Sequence, residues 1–263
     1  MILNQDLFGQ EHRYQAAAVL GLAGIAMLAL GAKLRKEAPA TWLGFFSGML
    51  TWTTWVEFSF MWFGREVFPL SPQIQGDRVI QYPEHMILLS TFGLLMTIFF
   101  FFFYNKDTRC PFFEWFHRNL RLDLGKRGSG KNRNIAIITF AETVYITWFF
   151  YVCQLIILSP NLIGVDHWFT YLVFGICLVW GLYCFGRLLK YRRVSTAVRY
   201  AIPTTIILWC DVRFLAGWGV ITEFYSRPQN YILECIIVVA AAIVATLITI
   251  KSPKKSSELE PLQ

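Results

Sequence analysis

Charged residues are scarce in this chain, and their scarcity excludes an ordinary soluble domain. Asp, Glu, Lys and Arg make up 16 % of the 263 residues, whereas hydrophobic residues make up 56 % and aromatic residues 17 %. Soluble domains carry about 25 % charged residues, and the mean hydropathy here is +0.46. The composition therefore predicts an all-α integral membrane protein.

Several signatures of metal and cofactor proteins are also missing. The four histidines never occur in HxxxH or HExxH order, so the chain has no zincin-type motif. The last apolar run has no Lys, which excludes a retinal Schiff base in that segment. No cysteine falls in a predicted outer loop, so nothing indicates a disulfide framework.

Seven apolar runs predict seven transmembrane helices in one domain of residues 15–250, since a span takes about 20 apolar residues. The runs cover 15–33, 41–64, 84–104, 135–158, 167–186, 201–224 and 231–250. The four predicted outer segments hold four Lys and Arg residues, and the four inner segments hold nineteen. The positive-inside rule then places the N-terminus outside and the C-terminus in the cytoplasm.

The remaining segments follow from this topology. Residues 1–14 form an outer N-terminal segment, and 105–134 form a cytoplasmic loop in which 111–124 resemble an amphipathic interfacial helix. Residues 251–263 are a charged cytoplasmic tail that we expect to be disordered. The net charge of +7 arises from this inner basic excess, which attracts anionic lipid. We expect the cytoplasmic membrane as the location and no nucleic-acid partner.

The second to seventh helices are interpreted as three repeated hairpins with the same polar residues in the same order. An aromatic residue precedes an acid by two positions in the first helix of each hairpin, at Glu57, Glu142 and Asp211. A tryptophan follows each acid, at Trp62, Trp148 and Trp218. A turn with proline comes next, and the spacing indicates an insertion in the first of these loops, between Pro72 and Glu84. The alternative is chance recurrence in an aromatic-rich chain.

The three acids are the candidate solute or ion site. If the hairpins surround one axis, the acids face a common interior, where unpaired carboxylates are unstable in a low dielectric. They would be protonated, share a cation, or pair with Arg213, whose expected partner is Glu57 or Glu142 on another helix. The three tryptophans are candidates for lining the same cavity, although packing or a place in the interfacial belt is the interpretation that we favour.

A second cluster is expected at the outer ends of the returning helices. Each of these helices opens with an acid beside a possible metal ligand, in the pairs Glu84 and His85, Asp166 and His167, and Glu234 and Cys235. Histidine and acid side chains together are common ligands of divalent metal ions, so such an ion is the candidate cofactor. The alternative is that acids at helix N-termini only complement the helix dipole.

Three functions fit these features. A transporter or channel for a small solute or cation needs intramembrane charges and often has internal repeats. A membrane-embedded, metal-dependent enzyme acting on an apolar or lipid-like substrate would use the acids and histidines in catalysis. In a structural or assembly subunit, which is compatible with an oligomer, the polar groups would only specify helix contacts. The sequence favours the transporter.

Overall fold

A computed structural model describes residues 9–75, 78–105, 117–122, 134–191, 194–221 and 236. It confirms a helical membrane-type chain, because three helices are long and apolar enough to span a bilayer, or four if one bent pair counts as a span. That is fewer than the seven predicted. The predicted run 231–250 lies outside the described residues except for Ile236, as do 1–8, most of 111–124 and the tail.

The first helix, α1, covers Gly9–Lys33, and the second predicted span is an irregular helix over 37–67. It divides into α2 (Glu37–Thr51), a π-helical turn (Trp52–Val56), α3 (Glu57–Trp62) and a second π-helical turn (Phe63–Val67). The hydroxyls of Thr53 and Thr54 donate to the carbonyls four residues before them, at 2.9 and 2.7 Å. Such bonds compete with backbone donors for those carbonyls, and both threonines lie within the first π-helical turn.

The loop predicted to be the first outer one contains a small antiparallel hairpin, β1 (Gln73–Gln75) and β2 (Arg78–Gln81). This hairpin is the insertion that the spacing indicated, although a wholly helical chain was expected. Helix α4 (Pro83–Ser90) follows at once, with proline in its first turn where a missing N–H is harmless. Helix α5 (Phe92–Tyr104) continues it after a bend of 45°.

The next three helices are α6 (Ile135–Leu158), α7 (Trp168–Leu188) and α8 (Val194–Gly217). Asn134 caps α6 by accepting from the backbone of Ile137. Helix α8 begins seven residues before the predicted span at 201, so Arg199 lies inside a helix and not in a loop.

Three helical segments, α2 with α3, α6 and α8, run in parallel and form what we call the central bundle. Gly44 lies against Ala136, and Gly48, one turn further along α2, lies against Thr143, two turns further along α6. At the start of the bundle, Ser195 Oγ donates to Glu37 Oε2 at 3.2 Å. The first helices of the three predicted hairpins therefore share one direction, as the topology required.

The returning helices pack antiparallel around this bundle. Tyr14 and Gly31 of α1 meet Phe58 and Leu43 at opposite ends of the second helix. Tyr171 of α7 stacks on Trp218, just beyond α8, with ring centroids 4.7 Å apart. Below, the end at which α2, α6 and α8 begin is called the inner end, following the predicted topology.

Candidate functional site

The three predicted acids lie at two levels of the central bundle. Gln154 Nε2 donates to the carbonyl of Cys210 at 3.2 Å, which puts Gln154 at the level of Asp211. Glu142 precedes Gln154 by twelve residues in α6, or about 18 Å at 1.5 Å per residue. Helix α6 therefore presents an amide where α8 presents an acid. The three acids were expected at matching depths in the bundle, but Glu142 and Asp211 lie at different depths.

Glu142 forms an ion pair in the inner half of the bundle. Arg199 Nε donates to Glu142 Oε2 at 2.8 Å, and Arg199 Nη2 donates to Oε1. The side chains are only 28 % and 21 % exposed, respectively. Sequence reasoning missed this pair because it counted Arg199 as part of a loop. The signal that could have revealed the pair is that the helix containing Asp211 extends back to Val194 and so includes Arg199.

Asp211 is buried and lacks a hydrogen-bond partner. The residue is 4 % exposed, and neither carboxylate oxygen has a hydrogen bond to any residue that the structure describes. An unpaired carboxylate away from water is strongly disfavoured as an anion. Of the three predicted acids, Asp211 therefore best fits the role of a ligand-binding group.

Glu57 and Arg213 interact across the bundle. Glu57 is half-buried directly after the first π-helical turn, and the charge of Arg213 acts on it. Both oxygens of Glu142 already accept from Arg199, which favours Glu57 over Glu142 as the partner of Arg213. π-Helical turns within α-helices are frequent at functional sites, and two of them flank α3.

The outer end of the bundle carries a second ion pair. Arg65 donates to both oxygens of Glu84, at 3.1 and 2.9 Å, and the Glu84 side chain is only 4 % exposed. Gly64 makes this approach possible, because a Cβ there would lie 2.9 Å from the backbone of Pro83. His85 lies beside this pair in sequence but contacts Tyr151 OH at 3.3 Å.

The predicted metal ligands do not form a metal site in the part of the chain that the structure describes. No three His, Cys, Asp or Glu side chains in it are placed to hold a metal ion. Glu84 is neutralised by Arg65, His167 caps α7 by accepting from Phe169, and Asp166 is exposed. The other two candidates, Glu234 and Cys235, lie outside the described residues.

Two of the three predicted tryptophans donate hydrogen bonds to groups outside their own helices. Trp148 Nε1 donates to Thr91 Oγ1 at 3.0 Å, at the bend between α4 and α5. Trp218 Nε1 donates to the carbonyl of Val165 at 2.8 Å. Trp62 is 39 % exposed and packs edge-on against Phe63. These contacts are those of the packing alternative rather than of a cavity lining.

The described residues thus place one ion pair, Arg199 with Glu142, in the inner half of the central bundle and a second, Arg65 with Glu84, at its outer end. Asp211 lies in the outer half without a hydrogen-bond partner among the described residues. Comparisons with known protein families, with curated proteins and with solved structures found no match to this chain.

Proposed function

We propose that the protein is a transporter or channel that moves a small solute or cation through the central bundle. The proposal includes the seven-span topology with the N-terminus outside, and the cytoplasmic membrane as its location. Charged side chains within membrane helices are costly and mark substrate and ion pathways.

The observation that carries the proposal is the succession of charges along the bundle. Glu142 and Arg199 occupy the inner half, and Asp211 lies about three turns further out on α8. Arg65 and Glu84 close the outer end. The sequence analysis had placed Arg199 in a loop, and the structure adds its positive charge to the inner half beside Glu142.

The enzyme alternative has less support. A metal-dependent enzyme needs its ligands gathered in one pocket, and the described residues contain no such group. His85 contacts a tyrosine of α6, whereas His167 caps α7.

Reconstitution into liposomes on a solid-supported membrane tests the proposal. Concentration jumps of protons, Na⁺, K⁺ and a panel of small organic cations and acids should produce a current or flux with at least one solute. The double variant Glu142→Gln/Arg199→Gln removes the inner charges together, so no buried charge is left unpaired, and it should lower that flux. Glu66→Gln, at an exposed position, is the matched control and should leave it unchanged.

The same experiment addresses the structural-subunit alternative. If wild-type protein that is folded and correctly oriented moves none of these solutes, the transport proposal fails. If flux is present but the double variant matches wild type, the central bundle is not the pathway.

A further inference from the structure

Asp211 lies in a dry environment formed by three helices. Its neighbours along α8 include Ile207 and Phe214, which are 2 % and 1 % exposed. Gly181 of α7 packs against Ile207, and Phe174 packs edge-on against Phe214. Asp211 therefore lies between two apolar contacts of α7 with α8, one at Ile207 and one at Phe214.

Among the described residues, the titratable groups beside Asp211 on the neighbouring helices, and at the adjacent position of α8, are thiols. Cys177 of α7 is close enough to Asp211 for an electrostatic interaction, and Cys153 of α6 acts on both Cys177 and Cys210. The charged group nearby on α8 is Arg213, two residues on, and side chains at that spacing do not face each other on a helix. Arg213 instead acts on Glu57.

This environment suits a proton better than a metal cation. Hard cations such as Ca²⁺ take six to eight oxygen ligands, whereas the described side chains near Asp211 are thiols, apolar groups and the single amide of Gln154. Soft metals need several thiolates in a defined geometry, and the part of the chain that the structure describes contains no group of three ligands so arranged. A single carboxylate can bind a proton without any further ligand, and the neutral acid removes the desolvation penalty.

We infer that Asp211 is a proton-binding site, and that solute movement through the central bundle is coupled to the proton that it carries. The coupling to solute movement rests on the proposed function, whereas proton binding by Asp211 does not. A proton from bulk water on one side converts the carboxylate to the neutral acid. Release of that proton to water on the other side restores the carboxylate, so one charge crosses the membrane per cycle.

Infrared spectroscopy of the protein in lipid vesicles tests the binding half. A protonated carboxyl has a C=O stretch separate from the carboxylate bands, and this band shifts in D₂O. We expect the wild-type protein to show such a band at mildly acidic pH and to lose it as the pH is raised. Asp211→Asn should lack it, and Glu66→Gln should retain it. The asparagine has nearly the shape and the charge of the neutral acid, so the variant is expected to fold.

Vesicles with an entrapped pH-sensitive dye test the coupling half. A solute that drives current in the wild type should also move protons, and Asp211→Asn should abolish that proton movement. If Asp211→Asn keeps the acid band, the proton-binding inference is overturned, whatever the flux. If the band is lost but proton movement with the solute persists, the coupling is overturned. If the band behaves as expected and no solute moves in the wild type, the proton site stands and the transport proposal fails.

Discussion

Gly44 of α2 lies directly against the backbone of Ala136 in α6, so closely that a Cβ on Gly44 would be 2.4 Å from the Ala136 carbonyl oxygen. The neighbouring Gly48 approaches Thr143 in the same way. Without a hydrophobic driving force between helices in lipid, small residues that allow close packing supply much of the association. This contact holds two of the three bundle helices together.

The first prediction concerns that contact. Gly44→Ala should destabilise the protein by about 3 kcal/mol, because the added methyl meets backbone atoms and the helices must separate. The measurement is denaturant unfolding in mixed micelles. Gly93→Ala is the matched control, since nothing lies within 4 Å of its Cβ position. It should be neutral or stabilising by up to about 1 kcal/mol. Equal effects at the two sites would contradict the close approach.

The second prediction concerns the outer ion pair. Arg65→Gln should cost about 3–5 kcal/mol in unfolding free energy, because Glu84 is left charged and buried. Adding Glu84→Gln should restore most of that loss. Glu66→Gln, on the exposed neighbour, should stay within about 0.5 kcal/mol of wild type. No recovery in the double variant would show that Arg65 stabilises through other contacts.

The third prediction concerns the inner ion pair. A double-mutant cycle with Glu142→Gln and Arg199→Gln should give a coupling energy of about 2 kcal/mol. This value lies between those of surface and buried pairs, because the two side chains are 21 % and 28 % exposed. The cycle isolates the pairwise term from each residue's other contacts. A coupling below about 0.5 kcal/mol would mean that the pair does not hold α6 to α8.

The fourth prediction concerns orientation, which rests on the distribution of Lys and Arg. In a Cys110→Ser background, a cysteine introduced at Ser129 should react with an impermeant maleimide only after sealed cells are opened. A cysteine introduced at Asn161, in the predicted third outer segment, should react from outside. The reverse pattern would show that the topology is inverted. Reaction of both sites from outside would show that the chain does not cross the membrane once between them, as predicted.

The sequence determined the parts of the protein that depend on apolar length. The bounds of α6 and α7 follow the predicted runs closely, because about 20 apolar residues leave little freedom in where a spanning helix begins and ends. That the central helices run parallel to one another followed from the alternating connections. The insertion before Glu84 was visible as extra length, although not as a β-hairpin, because a short edge pairing leaves little periodic signal.

Only the tertiary structure decided which charges meet. Arg199 and Glu142 are 57 residues apart, and no local pattern relates them. Their pairing depends on the axial register of α6 against α8, which the close packing of the bundle fixes. The same register places Gln154, and not Glu142, at the level of Asp211. The acids recur in similar sequence contexts, but depth in a bundle is set by where each helix begins, and α8 begins earlier relative to its acid than α6 does.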